Sequence, residues 1–264
     1  MRYFHKLKRS KIPIILYTPH MPQTPENDAT SYPMRINRYL ALRGIATRRD
    51  ADTLIEKGSV FINGEKARLG DKVNETDEVE VRTGKKPKTY RYVAYYKPKG
   101  IVTSAPEKHQ TDIKKALAKA QGLQGLFPVG RLDKDSHGLI ILTDDGRITD
   151  RLLNPERTHD KEYVVKVREA LRPSFKSHME SGVDIGDHVT KPAKVSVLND
   201  HTFSITLTEG KRHQVRRMAE AMHLTVTDLK RVRILNISLG KLSPGEHRAL
   251  EGKELTTFLK SLGL

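Results

Sequence analysis

The chain has no cysteine among its 264 residues. Disulfides, thiolate metal sites and thiol nucleophiles are thereby excluded. Long apolar runs are missing too: "IPIIL" and "LIIL" are far too short to cross a bilayer, so no membrane span is expected. There is no G-x-x-x-x-G-K-[ST] loop and no G-x-G-x-x-G turn after a strand, which argues against nucleotide-driven work. No H-E-x-x-H occurs and the 11 histidines are scattered, leaving a zinc site without support. Acid is the scarce charge: 32 Asp and Glu stand against 48 Lys and Arg, a formal net charge of +16. Such a surplus attracts polyanions, and counterion release from a phosphate backbone makes their binding favourable and salt-dependent. Nucleic acid is the expected partner, and a cysteine-free composition is consistent with a cytoplasmic location.

Residues 1–33 are basic, proline-containing and without sustained periodicity, and are expected to form a disordered tail. A targeting peptide is an alternative, but the apolar stretch is too short for secretion and no cleavage signature is present. Met34 immediately precedes the first patterned segment, so a functional chain beginning there is a further expectation. From 34 to 83 two short helices are expected, with Ile36, Tyr39 and Leu40 on one apolar face and Ala51, Leu54 and Ile55 on the other, and Thr47 as N-cap. "SVFIN" reads as a strand turning at Asn63-Gly64, a type I′ hairpin signal. Arg35, Arg38, Arg43, Arg48 and Arg49 fall in or just before these helices and form a basic face.

Residues 84–91 are polar and basic, as in a linker. The remainder, 92–264, alternates strands ("YVAYY", "GLIILT", "EYVVKV", a hairpin in "KVSVLNDHTFSITL", "RVRILNISL") with helices around 113–120, 215–222 and near the C-terminus. Strands outnumber helices and often follow one another without a crossover. The fold class expected is α+β, with a mixed, mostly antiparallel sheet flanked by helices.

"GRLDKDSHGL", residues 130–139, concentrates charge between two glycines before a buried strand. Glycines there indicate a tight loop whose backbone approaches something closely. A carboxylate in that loop, with an arginine two residues earlier, would be favoured in its ionised form, as a nucleophile or a base that needs no metal. A surface loop tied by local salt bridges would read the same way. Asp133, Asp135, Asp144 and Asp145 are conceivable Mg²⁺ ligands, but basic residues interrupt the first pair, and Asp144-Asp145-Gly146 reads more simply as a turn before a helix. No metal and no cofactor are expected.

Residues 34–83 resemble the S4 RNA-binding domain in "RINRYLA", "TRRDADTLI", "GSVFINGE" and "GDKV". The second domain resembles the pseudouridine synthases, specifically the branch that modifies ribosomal RNA and carries an S4 domain. The likeness rests on "YYKPKGIVTS", "FPVGRLDKDSHGLIILTDDG", "HDKEYVVKV", "LTEGKRHQVRRM" and "LKRVRILNISLGKLSPGEHRAL". The resemblance implies isomerisation of uridine to pseudouridine in ribosomal RNA, most closely in the large subunit, with a small-subunit RNA or a tRNA stem-loop as alternatives. It implies that Asp133 attacks C1′ or removes the C2′ proton, that Tyr163 stacks on the base and serves as a base at C5, and that Arg216 pairs with Asp133. Arg131 would help extrude the target nucleotide, and Lys97 would brace the loop. Arg35, Arg38, Arg48, Arg49, Lys211, Arg212 and Arg217 would meet RNA, with the protein acting as a monomer. The competing reading is a non-catalytic S4-type RNA-binding protein, and a further one is a metal-dependent RNA hydrolase.

Overall fold

The computed structural model describes residues 14–17, 32–82, 89–103, 112–120, 122–154 and 156–264. The chain divides into two compact units, Met1–Thr89 and Tyr90–Leu264. Of the expected linker, residues 84–88 lie outside the described residues.

The first unit contains β1 (Ile14–Tyr17), β2 (Met34–Arg35), α1 (Ile36–Leu42), α2 (Arg48–Glu56), β3 (Val60–Ile62), β4 (Glu65–Lys66), β5 (Lys72–Val73) and β6 (Val79–Arg82). Ile36, Tyr39 and Leu40 on α1 and Ala51 and Ile55 on α2 are buried against Val60, Val73, Val79 and Val81. That packing leaves the arginines of the two helices outward. Thr47 caps α2 by accepting the Asp50 amide at 3.1 Å. Asn63 and Gly64 both have positive φ, as a type I′ turn requires, and connect β3 to β4. The sheet order is β1-β6-β3-β4, with β2 pairing β5 separately. The structure departs from the sequence reading at β1: four residues of the expected tail form a strand antiparallel to β6.

The second unit contains β7 (Tyr92–Lys97), α3 (Ile113–Lys119), β8 (Phe127–Val129), β9 (His137–Thr143), α4 (Arg147–Leu153), β10 (Lys161–Val167), α5 (Phe175–Ser181), β11 (Lys194–Asn199), β12 (Thr202–Leu207), α6 (Gln214–Ala221), β13 (Val226–Ile234), β14 (Ile237–Ser238), β15 (His247–Ala249) and α7 (Gly252–Ser261). The large sheet runs β11-β12-β10-β13-β9-β7-β15, with β14 on β13 and β8 on β9. Its pairings are antiparallel apart from β13 with β9. The α+β, mostly antiparallel fold is therefore present.

The unbroken apolar text of "LIIL" follows from its position. Leu139 and Ile141 face a core shared with α4 and α7, while Ile140 and Leu142 face another shared with α3. With both faces covered, no polar alternation is needed. The "RVRILNISL" strand differs from expectation. It starts earlier, at Val226, and breaks after Ile234, where Leu235 adopts φ 50 before β14. Asp145 is fully buried and bonded by Tyr92 and Arg147, which fixes the entry to α4.

Candidate active site

The loop joining β8 to β9 carries Asp133, and its backbone is fixed residue by residue. The Arg131 carbonyl accepts from Arg231 Nη1 at 3.2 Å and that of Leu132 from Thr103 Oγ1 at 2.7 Å. The Asp133 carbonyl accepts from the Ser136 amide at 3.1 Å and that of Lys134 from the Gly100 amide at 2.8 Å. The Asp135 carbonyl accepts from Arg216 Nη2 at 3.2 Å. Five consecutive carbonyls are thus held by five different residues. Thr103 also accepts the Leu132 amide at 3.1 Å, so one hydroxyl satisfies both polar groups of that residue. A loop held at so many points fixes the backbone from which Asp133 projects, which contributes to preorganising a reacting group.

At the end of the loop, Gly138 adopts φ +107, and a Cβ there would lie 2.3 Å from the Arg231 carbonyl oxygen. Only glycine lets β9 approach β13 this closely. His137 anchors the same corner: Nδ1 meets Tyr96 Oη at 2.6 Å and Nε2 meets Asp228 at 3.1 Å. Lys99 pairs with Asp228 as well. Burial works to raise the Asp228 pKa, but Lys99 and His137 hold it below the usual aspartate value.

Asp133 opens onto a cavity of about 590 Å³ that Arg131, Tyr163, Lys211, Arg212, His213 and Arg231 also line. Tyr163 reaches it from β10, where its cross-strand partners are Ile205 on β12 and Arg231 on β13. Asp133, Tyr163, Arg131, Lys211 and Arg212, singled out in the sequence, therefore share one cavity wall. Lys97 lies elsewhere. It is fully buried at the end of β7, and its ammonium donates to the Pro98 and Ile101 carbonyls at 3.0 and 2.8 Å. Burial lowers its pKa to about 8, with the Asp133 charge partly opposing the shift. It braces the 97–101 turn, whose Gly100 amide in turn holds Lys134.

Two expected contacts differ. Among the described residues no ion pair joins Arg216 to Asp133. Arg216 projects from the first turn of α6 and spends its guanidinium on the carbonyls of Asp135 and, at 3.5 Å, Val226. The side chain within ion-pair distance of Asp133 is His213, whose Nε2 lies 3.5 Å from Oδ1. His213 reaches that point from a left-handed conformation, φ 52, at the N-cap of α6. Arg217 is half-buried and bonded to Asp187 and the Ile185 carbonyl, so it is not a free RNA contact in this arrangement. Lys211 and Arg212 are exposed, as are Arg35, Arg38, Arg48 and Arg49 in the first unit.

Sequence reasoning passed over Thr103, His213, Lys161, Glu209 and Arg231. Each lay inside a motif quoted for its likeness, yet the contacts of Thr103, His213, Glu209 and Arg231 join segments far apart in sequence. Glu209 is buried and gathers the Lys191 amide at 2.9 Å, Gln214 Nε2 at 2.8 Å and His188 Nε2 at 3.2 Å, pinning the loop before α6 to the cavity wall. Lys161, on the same wall, has its pKa lowered by burial and by the charge of Arg231.

The family model described as RNA pseudouridylate synthase matches residues 91–221, and that of the S4 domain matches residues 34–79. The chain is 39% identical over 230 residues to the dual-specificity RNA pseudouridine synthase RluF of Salmonella typhi, covering 86% of this chain and 78% of that one. It is 34% identical over 233 residues to the ribosomal large subunit pseudouridine synthase B of Bacillus subtilis, covering 84% and 93% respectively. A crystal structure of a pseudouridylate synthase superposes with a TM-score of 0.61 at 28% identity, covering 87% of this chain and 99% of that one. The chain belongs to the RNA pseudouridine synthase family, in the branch that joins an S4 domain to the synthase domain. Its reaction class is the isomerisation of uridine in RNA.

Proposed function

We propose that this protein converts a specific uridine of large-subunit ribosomal RNA to pseudouridine, with Asp133 as the reacting carboxylate. The observation that carries the reading is the clamped loop, which holds Asp133 at the mouth of a cavity shared with Tyr163. The reaction breaks the C1′–N1 bond, and its electron pair leaves with the uracil. Asp133 meets the electron deficiency at the sugar, either by bonding to C1′ or by taking the C2′ proton. The retained ring turns and C5 bonds to C1′. On the first path the Asp133–C1′ bond breaks at this step and its electron pair returns to the carboxylate; on the second Asp133 gives the proton back to C2′. The C5 proton then passes to a base, a role we assign to Tyr163 because it lines the same cavity, and N1 takes up a proton. No net oxidation occurs and nothing is consumed.

A uridine stacked in RNA must leave its helix before this chemistry, at a cost of a few kcal/mol that phosphate contacts can offset. The exposed Arg131, Lys211 and Arg212 at the cavity rim and Arg35, Arg38, Arg48 and Arg49 on the S4 unit suit that task. Arg216 acts by positioning the Asp133 loop. The large-subunit substrate is supported by the name of the Bacillus relative and a second RNA by the dual-specificity relatives; a tRNA stem-loop is the candidate for it. We take the protein to act as a monomer, in the cytoplasm where ribosomes are found.

Carbodiimide mapping tests this reading on unmodified ribosomal RNA incubated with the protein and without divalent metal. A new stop at one uridine of the large-subunit RNA is expected. Cleaved RNA would point to a hydrolase, and unchanged RNA to a binding protein.

A further inference from the structure

Lys161 stands on β10 two residues before Tyr163 and lines the same cavity as Tyr163 and Asp133. β10 pairs with β12 in unbroken register through this stretch, so the two side chains share a face of the sheet. The neighbours of Lys161 across the sheet are Leu207 on β12 and Ile234 on β13, both apolar and both in the cavity wall. Lys161 itself is half-buried, and the cavity is what its open surface lines. Burial lowers its pKa and Arg231 adds to the shift, while Asp160 opposes it. Asp160 is paired elsewhere, with Arg233 at 3.9 Å, and among the described residues no carboxylate forms an ion pair with Lys161. Its one hydrogen bond among them runs from Nζ to the His159 carbonyl at 3.1 Å. An ammonium carries three protons, so two are left for another acceptor. A partly desolvated cation without a counter-charge is costly to hold, and negative charge arriving in the cavity would offset that cost. Residues two apart on a strand are separated by about 6.6 Å, which the four-carbon stem of a lysine spans. A base against Tyr163 is therefore within reach of the Lys161 ammonium.

We infer that Lys161 is a further catalytic residue, whose ammonium donates to a carbonyl oxygen of the uracil as the C1′–N1 bond breaks. This role rests on the proposed isomerisation. The electron pair of that bond leaves with the ring and spreads over N1, O2 and O4. A cation held between apolar side chains stabilises this charge as it develops, and more than it stabilises the neutral ring. The pair then returns to form the C5–C1′ bond, so Lys161 keeps its proton throughout and is neither acid nor base. Asp133 thus answers the charge on the sugar and Lys161 the charge on the ring.

Changing the leaving group separates this role from a contact to an RNA phosphate or a brace for the strand. Fluorine at C5 withdraws electron density, so the 5-fluorouracil anion needs less stabilisation than that of uracil. Lys161→Met removes the charge and keeps the length of the side chain. Single-turnover loss of the target nucleotide is measured for wild type and Lys161→Met at saturating protein, on the same RNA carrying uridine or 5-fluorouridine. The rate on uridine is expected to fall by about 10²–10³-fold. The fall on 5-fluorouridine should be at least about tenfold smaller, and RNA affinity, read by filter binding, should stay unchanged. No fall on uridine, or equal falls on both substrates, would overturn the inference. A lost affinity with the saturated rate retained would overturn it too, and make Lys161 a phosphate contact. Should Lys161→Met fail to fold, as judged by circular dichroism, Lys161→Gln is compared in the same way, and its defect must likewise be larger on uridine. Wild-type protein that isomerises no uridine would instead sink the proposed function itself.

Discussion

The Gly100 amide donates a 2.8 Å hydrogen bond to the Lys134 carbonyl, joining the turn after β7 to the residue that follows Asp133. Lys97 stands behind this link, fully buried, with its ammonium on the carbonyls of the same turn. The family motif containing "KPKG" therefore acts at a distance from the cavity, through the backbone of the loop that reaches it.

Lys97 gives that link a pH dependence. Its folded-state pKa is lowered to about 8 by burial, below its unfolded value. Below pH 8 both states are protonated and the buried charge carries its full cost. Between pH 8 and the unfolded pKa the unfolded state binds more protons, so stability rises with pH. In urea unfolding, the stability of wild type relative to Lys97→Met is expected to shift in favour of wild type by roughly 2–3 kcal/mol from pH 7 to pH 10.5. A pH-independent difference would show that the ammonium is not desolvated.

Thr103→Val keeps the shape of the side chain and removes the hydroxyl that serves both polar groups of Leu132. The expected loss is about 2–4 kcal/mol in thermal or urea unfolding, from two buried backbone groups left without partners. Single-turnover isomerisation should slow while RNA affinity, read by filter binding, stays unchanged. A lost affinity would place Thr103 in the RNA contact instead.

Gly138→Ala is expected to be far more damaging than a one-carbon change in an ordinary strand. The added Cβ meets the Arg231 backbone at 2.3 Å, where no side-chain rotation relieves it. A destabilisation of about 4 kcal/mol or more in urea unfolding follows. A change below about 1 kcal/mol would mean that β9 and β13 part readily at this point.

Much of this was legible in the sequence. The Asn63-Gly64 turn, the Thr47 cap and the charge-rich loop framed by Gly130 and Gly138 are local signals, set by φ preferences and hydrogen bonds within a few residues. The run "LIIL" gave a buried strand because both faces of β9 are covered. Arg231 was not legible. It sits among Lys230 and Arg233 in a strand with no pattern marking it as buried, and its partners are the carbonyls of Leu139 and Arg131, about a hundred residues away. Arg216 was read as the partner of Asp133 because family likeness names a residue without fixing where its guanidinium ends. His213 was missed because a non-glycine residue in the left-handed region has no sequence mark of its own. The strand at Ile14–Tyr17 lay in text with no periodicity to announce it.

Arg48 and Arg49, exposed at the start of α2, are expected to meet phosphates. The double variant Arg48→Ala and Arg49→Ala should weaken RNA binding and reduce the slope of log affinity against log salt by about 1 per lost phosphate contact. The rate at saturating RNA should be retained. An unchanged salt slope would show that this face does not touch RNA.

The central claim is that the Asp133 carboxylate reacts at the sugar, and Asp133→Asn tests it most directly because the shape of the side chain is kept. Single-turnover isomerisation and RNA affinity are measured together on the same transcript. The account predicts a rate reduced on the order of 10⁴-fold or more, with affinity within about threefold of wild type. A variant that still forms pseudouridine at a rate near that of wild type would contradict it.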